Sequence, residues 1–398
     1  MRIIDRVNVT HPGPAIAAVF FGNFVVGCGV LVVPGMLDLM AQDLAVSVPT
    51  AGSLLSLAAV AMCVGAPALA ALTSRVDRRQ LLMLSLLALA VGHLACAWAR
   101  DFTTLLWLRP LSVLGAAVFT PQAAATLALL VPPERRSTAV TTAFVGWSLA
   151  SVLGMPLGNV LADAMSWRAS FAVVGVLGLV AAAVVWQVVP AGVAVAPLSL
   201  RSWGEVFGAP RLRLILLATM AWCTAHFAVM GYITAALREV LQAPPSVQAG
   251  LMGLMGVCGL VGNIVLSRAV SRLGADRGAR LALSFVFTGL AMWCVAFSWV
   301  QATWAVAVAI LVWGLGNFAF TSSQQVRLAQ SAPALSSASI ALNSSSLYAG
   351  QALGAALGAT LVVSLGYHAL GPTALLIMGG ALWCSARADR VAAMLPSR

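Results

Sequence analysis

Polar side chains that could bind a small molecule stand inside long apolar stretches of the sequence. They share a hydrogen-bonding group and a position far from charged loops: Asn23, Gln122, His226, Asn317, Gln324, Asn343 and Gln351, with Phe24, Trp147, Trp222, Tyr232 and Tyr348 nearby. Small-molecule sites combine apolar and aromatic walls with a few hydrogen-bonding groups, so this set predicts a binding pocket. For each residue taken singly, the alternative is a hydrogen bond between two helices.

Two ionisable side chains in these stretches could hold or move a charge. His226 is a candidate proton carrier because imidazole titrates near neutral pH; the alternative is a satisfied core histidine. Arg109 lies about two helical turns into its stretch, where a charged group must find an acceptor. His93 and Asp38 lie nearer the ends of their stretches, and for them we expect solvated or capping roles.

The sequence offers no catalytic or metal-binding pattern. Its seven cysteines all lie in apolar stretches without a CxxC pair, and its four histidines are scattered. Neither a nucleophile with a matched base nor a GxxxxGK[ST] phosphate loop is present. We therefore expect no enzymatic activity, disulfide, metal or cofactor.

Membrane-spanning helices must position these residues. Of the 398 residues, 61% are hydrophobic and only 8% are charged, and about 20 apolar helical residues cross a bilayer. We predict an all-α integral membrane protein with twelve spans, numbered in chain order: 15–37, 50–72, 80–98, 103–131, 138–162, 167–189, 212–237, 246–270, 279–300, 302–325, 336–365 and 369–386.

The arginines predict which side each loop faces. If residue 1 lies inside, about 18 of the 22 arginines fall on inner segments, and three, Arg100, Arg168 and Arg238, fall outside. Positive loops stay in the cytoplasm, so we expect both termini there, in a bacterial-type inner membrane. The net charge of +11 then needs no nucleic-acid partner, although anionic lipid headgroups should attract it. Residues 1–14 lack the apolar core of a signal peptide, so span 1 should remain in the mature protein.

The two halves of the chain repeat each other at an offset of about 200 residues. LGMPLGNVL at 153–161 in span 5 matches LGAALGATL at 353–361 in span 11, and Phe119-Thr120 matches Phe320-Thr321. Parallel repeats predict two pseudo-symmetric bundles related by an axis along the membrane normal, with a pathway between them. The bundles are predicted to be residues 1–189 and 212–398, joined by a cytoplasmic linker at 190–211.

Small residues recur at every fourth position of two equivalent spans. They are Gly146, Ala150, Gly154 and Gly158 in span 5, and Ser346, Gly350, Gly354 and Gly358 in span 11. Such stripes let helix backbones approach closely. We interpret them as an interface along which the halves slide; the alternative is static packing. Pro156 removes a backbone hydrogen bond from span 5 and can kink it.

Several of these segments resemble the major facilitator superfamily, in particular its twelve-helix drug and sugar efflux permeases such as arabinose efflux permease. GMPLG at 154–158 followed by WRASF at 167–171 resembles that branch's antiporter motif and its exit loop. Residues 34–47 resemble the family's span 1 exit, and LAQSAP at 328–333 resembles its span 10 to 11 region. The resemblance covers essentially the whole chain.

Three segments depart from the family pattern. The loop after span 2 has Ser74 where the family has Asp, and Asp77 where it has Gly. Span 4 keeps Arg109 but loses the Gln-Gly that follows it in the family. Asn23 stands where several family members carry a proton-carrying carboxylate, so that carboxylate is missing here.

The resemblance implies a monomeric secondary transporter that exports a small neutral or amphipathic solute, a drug or a sugar, by alternating access in exchange for protons. It makes Arg109 a proton-coupling or substrate-positioning residue; the alternative is an arginine that clamps a helix end. It makes Arg75, Arg78 and Arg79 part of a cytoplasmic latch. A facilitator or importer, and a receptor that transports nothing, are the alternative functions.

Overall fold

The computed structural model describes residues 12–73, 75–132, 136–193, 200–332 and 335–394. Every regular element in these ranges is helical, and twelve helices are long and apolar enough to cross a membrane. The predicted number of spans is confirmed. Ser74, which departs from the family pattern, and part of the linker lie outside the described residues.

The helices follow the predicted spans. In chain order they are Gly13–Leu31 and Leu37–Asp43 (span 1), Val48–Ala51 and Ser53–Leu72 (span 2), Arg78–Ala97 (span 3), Phe102–Leu130 (span 4), Arg136–Ala164 (span 5), Trp167–Val188 (span 6), Pro210–Met230 and Ile233–Leu241 (span 7), Pro245–Leu273 (span 8), Ala275–Val295 (span 9), Thr303–Ser331 (span 10), Ser336–Leu365 (span 11) and Leu370–Met394 (span 12). A further helix, Leu200–Gly208, lies in the linker predicted at 190–211.

Side-chain caps begin several spans immediately after short loops. Asp77, Asp101 and Ser166 each accept hydrogen bonds from backbone N–H groups two or three residues further on, at the starts of spans 3, 4 and 6. Such caps satisfy donors that the first helical turn leaves free. Asp77 also accepts from the Gly192 N–H at 2.6 Å, which fastens the start of the linker to span 3.

Spans 1 and 7 break at equivalent places. Span 1 stops at Leu31, passes through a 3₁₀ turn containing Pro34, and resumes at Leu37. Proline has no N–H to continue the helix, which accounts for this break. Span 7 stops at Met230 and resumes at Ile233, about 200 residues after the break in span 1. We call the side of the bundle where these breaks lie the far side.

The small-residue stripes pack within each bundle, and our interpretation of them as a sliding interface between halves is wrong. A Cβ at Gly154 would lie 3.0 Å from the Cys28 sulfur, and Gly158 faces span 1 as well. A Cβ at Gly354 would lie 2.5 Å from the Thr224 carbonyl oxygen of span 7. Each stripe therefore seats a helix on the equivalent neighbour in its own bundle, as static packing requires.

Glycines of span 8 instead form close contacts between the bundles. A Cβ at Gly256 would lie 2.5 Å from the Cα of Val152 in span 5. A Cβ at Gly253 would lie 3.6 Å from the Pro156 ring. Pro156 therefore lies at an interface between the halves, although the glycines on either side of it do not.

The span 8 glycines recur at every third position, so their stripe rotates around the helix. Three residues turn an α-helix by about 300°, and each step therefore moves the stripe back by about 60°. Gly259 and Gly262 consequently face span 10, within the second bundle. One stripe thus serves two interfaces.

We expect Gly262→Ala to destabilise the protein by about 1–3 kcal/mol, because a Cβ there would lie 1.9 Å from the Leu315 carbonyl oxygen and force spans 8 and 10 apart. Thermal unfolding in detergent micelles measures the effect. Gly250→Ala is the matched control: it lies in the same helix, and nothing stands within 4 Å of its added Cβ. Equal unfolding temperatures for the two variants would contradict this packing.

Candidate functional site

A hydrogen-bonded chain crosses the first bundle at mid-membrane depth. The Thr120 hydroxyl donates to Asn23 Oδ1 at 2.9 Å, and Trp147 Nε1 donates to the same hydroxyl at 3.1 Å. Spans 1, 4 and 5 are thereby joined. Asn23 is fully buried, so the amide that replaces the family's carboxylate is part of the bundle's internal bonding.

A second polar cluster crosses the other bundle. The Thr219 hydroxyl donates to Asn343 Oδ1 at 2.8 Å, and Gln324 Nε2 donates to Thr219 at 2.9 Å and to the Ile215 carbonyl at 3.0 Å. Thr219, which sequence analysis did not single out, lies at the centre of this cluster. The available sequence signal was helical spacing: Thr219 is four residues from both Ile215 and Cys223, which puts the three residues on one face of span 7.

Aromatic rings surround His226 between spans 7 and 10. Trp222 stacks on its imidazole with ring centroids 5.6 Å apart, and Trp313 meets it edge-on at 5.2 Å. Trp222 also contacts Phe320 at 5.3 Å. Asn317 lies one turn from Trp313 on the same span and is 7% exposed. Five residues from two spans thus form an uncharged, largely aromatic group; Trp313 and Phe320 are additions to the predicted set.

The other predicted pocket residues lie elsewhere. Tyr232 sits at the break in span 7, where its hydroxyl donates to the Ala355 carbonyl at 2.8 Å. Phe24 and Tyr348 pack against the apolar core of the first bundle, although Tyr348 belongs to span 11. Gln351 is buried one turn further along span 11. The structure therefore divides the predicted pocket into several groups.

Arg109 finds its acceptors mainly in the backbone of span 1. It is 2% exposed, and its Nη2 donates to the carbonyls of Gly29 at 2.9 Å and Val30 at 3.4 Å. Its Nη1 lies 3.2 Å from His93 Nε2. Because His93 Nδ1 faces the Leu89 carbonyl at 2.8 Å, we assign the imidazole proton to Nδ1 and leave Nε2 to accept from Arg109. Our expectation of a solvated or capping role for His93 is wrong.

Asp38 and Arg238 form an ion pair between the bundles on the far side. Arg238 Nε lies 2.9 Å from Asp38 Oδ2, and the two side chains are 26% and 4% exposed. One turn earlier, the Thr234 hydroxyl donates to the Pro34 carbonyl at 3.1 Å. The solvated or capping role expected for Asp38 is therefore wrong, because the second bundle covers it. Both contacts join residues exactly 200 positions apart, which places them beside the pseudo-two-fold axis.

An apolar cluster continues this closure across both bundles. Val32, Met36 and Leu54 of the first bundle and Ile233 and Met252 of the second belong to the same buried cluster. The broken ends of spans 1 and 7 are thus sealed against each other by an ion pair, a hydrogen bond and apolar packing. We call this set of contacts the far-side seal.

The predicted latch residues contact their own bundle on the opposite side. Arg78 Nη1 donates to Gln122 Oε1 at 2.7 Å, which removes Gln122 from the predicted pocket. The Arg79 guanidinium lies 4.1 Å from the centre of the Trp186 ring, and Arg75 is exposed. Their role as a cytoplasmic latch stays a prediction.

A charge cluster that the sequence analysis did not predict lies on the same side in the second bundle. Arg327 pairs with Asp389 and, at 2.6 Å, with Asp276. Arg211 adds a contact to Asp276 at 3.0 Å, and Arg280 one to Asp389 at 2.9 Å. Ending span 10 at 325 places Arg327 in a loop, but its helix continues to Ser331 and buries the guanidinium. The sequence signal that could have indicated this cluster was a pair of opposite charges, Asp276 and Arg280, one helical turn apart at the start of span 9.

The span 5 exit motif closes the far side of the first bundle. Asp43, at the end of span 1, accepts from Trp167 Nε1 at 2.9 Å and from Arg168 Nη1 at 2.6 Å. The Trp-Arg pair of the predicted motif thus holds span 6 against span 1.

Two related six-helix bundles with buried polar groups between their helices make up a multi-pass membrane protein. The Major Facilitator Superfamily profile matches residues 19–355, and this chain belongs to that family, whose members are membrane transporters and not enzymes.

Relatives extend over nearly the whole chain. An Escherichia coli (strain K12) protein, "Inner membrane transport protein YdhP", is 29% identical over 382 residues, covering 94% of this chain and 95% of that protein. A Helicobacter pylori (strain G27) protein, "Probable sugar efflux transporter", is 24% identical and covers 87% of this chain and 86% of its own.

Solved structures show the same fold. The human organic anion transporter MFSD10 (TETRAN) superposes with a TM-score of 0.73 at 15% identity, covering 94% of this chain and 99% of that one. A bacterial homologue of the human lysosomal transporter Spinster, in an inward-facing and occupied conformation, has a TM-score of 0.70 at 15% identity, with coverage of 94% and 96%.

We expect Asp38→Asn to loosen the far-side seal, because it leaves the partly buried Arg238 without its countercharge. In a background without the seven native cysteines, Thr234→Cys reports opening through its rate of reaction with a membrane-impermeant maleimide. The rate should rise severalfold in Asp38→Asn, and adding Arg238→Gln should change it little further.

Asp43→Asn is the matched control for this measurement. It removes the same charge from the same short helix, but its partner Arg168 belongs to the first bundle. Equal acceleration by Asp38→Asn and Asp43→Asn would show that the ion pair between bundles does not hold the seal.

Proposed function

We propose that this protein exports a small neutral or amphipathic solute, a drug or a sugar, from the cytoplasm by alternating access, in exchange for protons. The two bundles would rock about a mid-membrane site and expose it to each side in turn. The protein would lie in a bacterial-type inner membrane as a monomer, with both termini in the cytoplasm.

The observation that carries the proposal is the far-side seal. Alternating access needs a closure made by both halves that can break without unfolding either of them. The seal joins the equivalent ends of spans 1 and 7, and in the described part of the chain its polar contacts are one ion pair and one hydrogen bond. By contrast, the described stripes and polar chains hold each bundle together internally.

The proposed orientation rests on the arginines. Counting them on alternate loops assigns the far side to the cell exterior, since only three lie there. The structure would then be closed to the outside, the conformation in which an exporter takes up its solute. The names of the Escherichia coli and Helicobacter pylori relatives support an inner-membrane location and efflux.

A neutral solute is supported by the chemistry of the candidate pocket residues. The mid-membrane groups are amides, hydroxyls, indoles and one imidazole. The buried guanidinium of Arg109 is engaged by backbone carbonyls of span 1, and that of Arg327 by two carboxylates. Neither is free to pair with a charged solute.

Proton exchange is the proposed energy source. Asn23 supplies no carboxylate, so the proton must use another group, and we assign this role to His226, the imidazole between spans 7 and 10 of the second bundle.

We expect an imposed pH gradient to drive solute flux in proteoliposomes. With the far side facing an acidic lumen, protons leaving the lumen should draw solute in above its equilibrium concentration. Radiolabelled solutes from a broad neutral panel measure this, with protein-free vesicles as the control. Solute leaving the lumen together with protons would indicate an importer, and flux that follows only the solute's own gradient would indicate a facilitator.

We expect a cross-link across the far-side seal to stop transport reversibly. Pro34→Cys with Thr234→Cys, joined by a short reducible dithiol reagent in the cysteine-free background, should lower flux to the protein-free level, and a reductant should restore it. Asp43→Cys with Arg168→Cys is the matched control, since that pair lies within one bundle. Undiminished flux through the locked seal would contradict alternating access.

A further inference from the structure

Four buried polar atoms between spans 7 and 10 have no hydrogen-bond partner among the described residues. They are Trp222 Nε1, His226 Nδ1, Trp313 Nε1 and Asn317 Oδ1. Their side chains are 4%, 5%, 0% and 7% exposed, respectively. Buried polar groups are nearly always paired, because an unmade hydrogen bond in such a place is costly. Four such atoms in one group indicate partners that come from outside the chain.

The spacing of these residues puts them on two facing helical surfaces. Trp222 and His226 are four residues apart on span 7, as are Trp313 and Asn317 on span 10, so each pair occupies one face. Ring contacts of 5.2 Å between His226 and Trp313 and 5.3 Å between Trp222 and Phe320 join the two faces.

The other bundle lacks this chemistry at the equivalent positions. On span 1, Gly22 and Val26 correspond to Trp222 and His226 at an offset of 200. On span 4, where matching Phe119 with Phe320 gives an offset of 201, Ser112 and Ala116 correspond to Trp313 and Asn317. Helix packing does not require the polar aromatic side chains, since the equivalent bundle packs without them.

We infer that these four residues form a subsite of the second bundle for an uncharged, planar heteroaromatic solute. This inference rests on the proposed transport function and specifies its substrate class. The two indole N–H groups can only donate, so they require acceptors such as ring nitrogens or ring carbonyls. Asn317 Oδ1 can only accept, so it requires a hydrogen-bond donor, which a ring N–H on the same solute supplies. The indole and Phe320 faces favour a flat ring, because offset aromatic stacking adds to apolar burial.

Neither a sugar nor a cation fits this set as well. A pyranose presents hydroxyls around a puckered ring and would need several amide or carboxylate partners, whereas the group contains one amide. An anionic solute would need a cationic side chain in the group. Arg327 of span 10 lies ten residues from Asn317, about 15 Å along the helix, and is paired with Asp276 and Asp389. No carboxylate belongs to the group to bind a cation.

Equilibrium binding to the full chain in detergent micelles tests the subsite without requiring transport. The probes are theophylline, caffeine, arabinose and tetraphenylphosphonium. Theophylline and caffeine share a flat ring system with carbonyl acceptors, but only theophylline has a ring N–H. We expect both to bind, theophylline more tightly, and arabinose and tetraphenylphosphonium to bind far more weakly.

The variants assign the contacts. Trp222→Phe should weaken the binding of both heteroaromatic probes about tenfold, since it keeps an aromatic ring and removes the N–H donor. Asn317→Leu should weaken the binding of theophylline about tenfold and change the binding of caffeine little. Asn317→Gln, which keeps the amide, should recover part of the lost theophylline affinity. Trp299→Phe, at a site 85% exposed, is the matched control and should bind as the parent does.

The outcomes separate this inference from the proposed function. The subsite is overturned if neither heteroaromatic probe binds to the folded protein. It is also overturned if Trp222→Phe and Asn317→Leu leave the binding of the probes unchanged. Arabinose binding that depends on these residues overturns the substrate class. If the probes bind as expected but a pH gradient drives no flux, the subsite stands and the export function fails.

Discussion

The absence of water from the hydrocarbon core governs this structure. A polar group there that neither a ligand nor cavity water reaches must be satisfied by the protein itself, and several of the resulting bonds tie helices together. Thr120 links spans 1, 4 and 5 in the first bundle, and Thr219 links spans 7, 10 and 11 in the second. Arg109 shows the rule most clearly, since the main carbonyls it uses belong to a span 80 residues away in sequence. Each bundle is consequently held as a unit.

The contacts between bundles are of a different kind. Span 8 glycines bring its backbone close to span 5, and dispersion contributes to holding such a surface. Among the described residues, the polar contacts of the far-side seal are one ion pair and one hydrogen bond. Strong bonding inside the bundles and a small polar closure between them allow the halves to move as bodies, because breaking the closure leaves the internal bonding intact.

The sequence predicted the spans and their pairing into bundles because both follow from apolar length and from the repeat. It did not predict which neighbour a helix face meets. The two stripes that contain Gly154 and Gly354 were correctly predicted to be close-packing surfaces, but periodicity does not identify the helix that each of them packs against. Depth was misjudged for Asp38 and His93 for a related reason, since a position near the end of an apolar stretch is buried when the other bundle or a neighbouring span covers it. The pocket was only partly predictable, because residue type does not separate Gln122, bonded to Arg78, from Asn317, which has no such partner for its Oδ1.

The repeat of the two halves imposes an electrostatic constraint on the far-side seal. A two-fold axis along the membrane normal brings each residue near the axis close to its own equivalent in the other half. Two identical halves would therefore place like charges together at this position, and a covered pair of like charges is repulsive. Here the equivalent positions have diverged to Asp38 and Arg238, so the same symmetry produces attraction. Divergence at one pair of positions thus converts an obligatory close approach into a closure, while the glycine stripes of spans 5 and 11, which pack within their own bundles, had no such reason to diverge and retain the repeat.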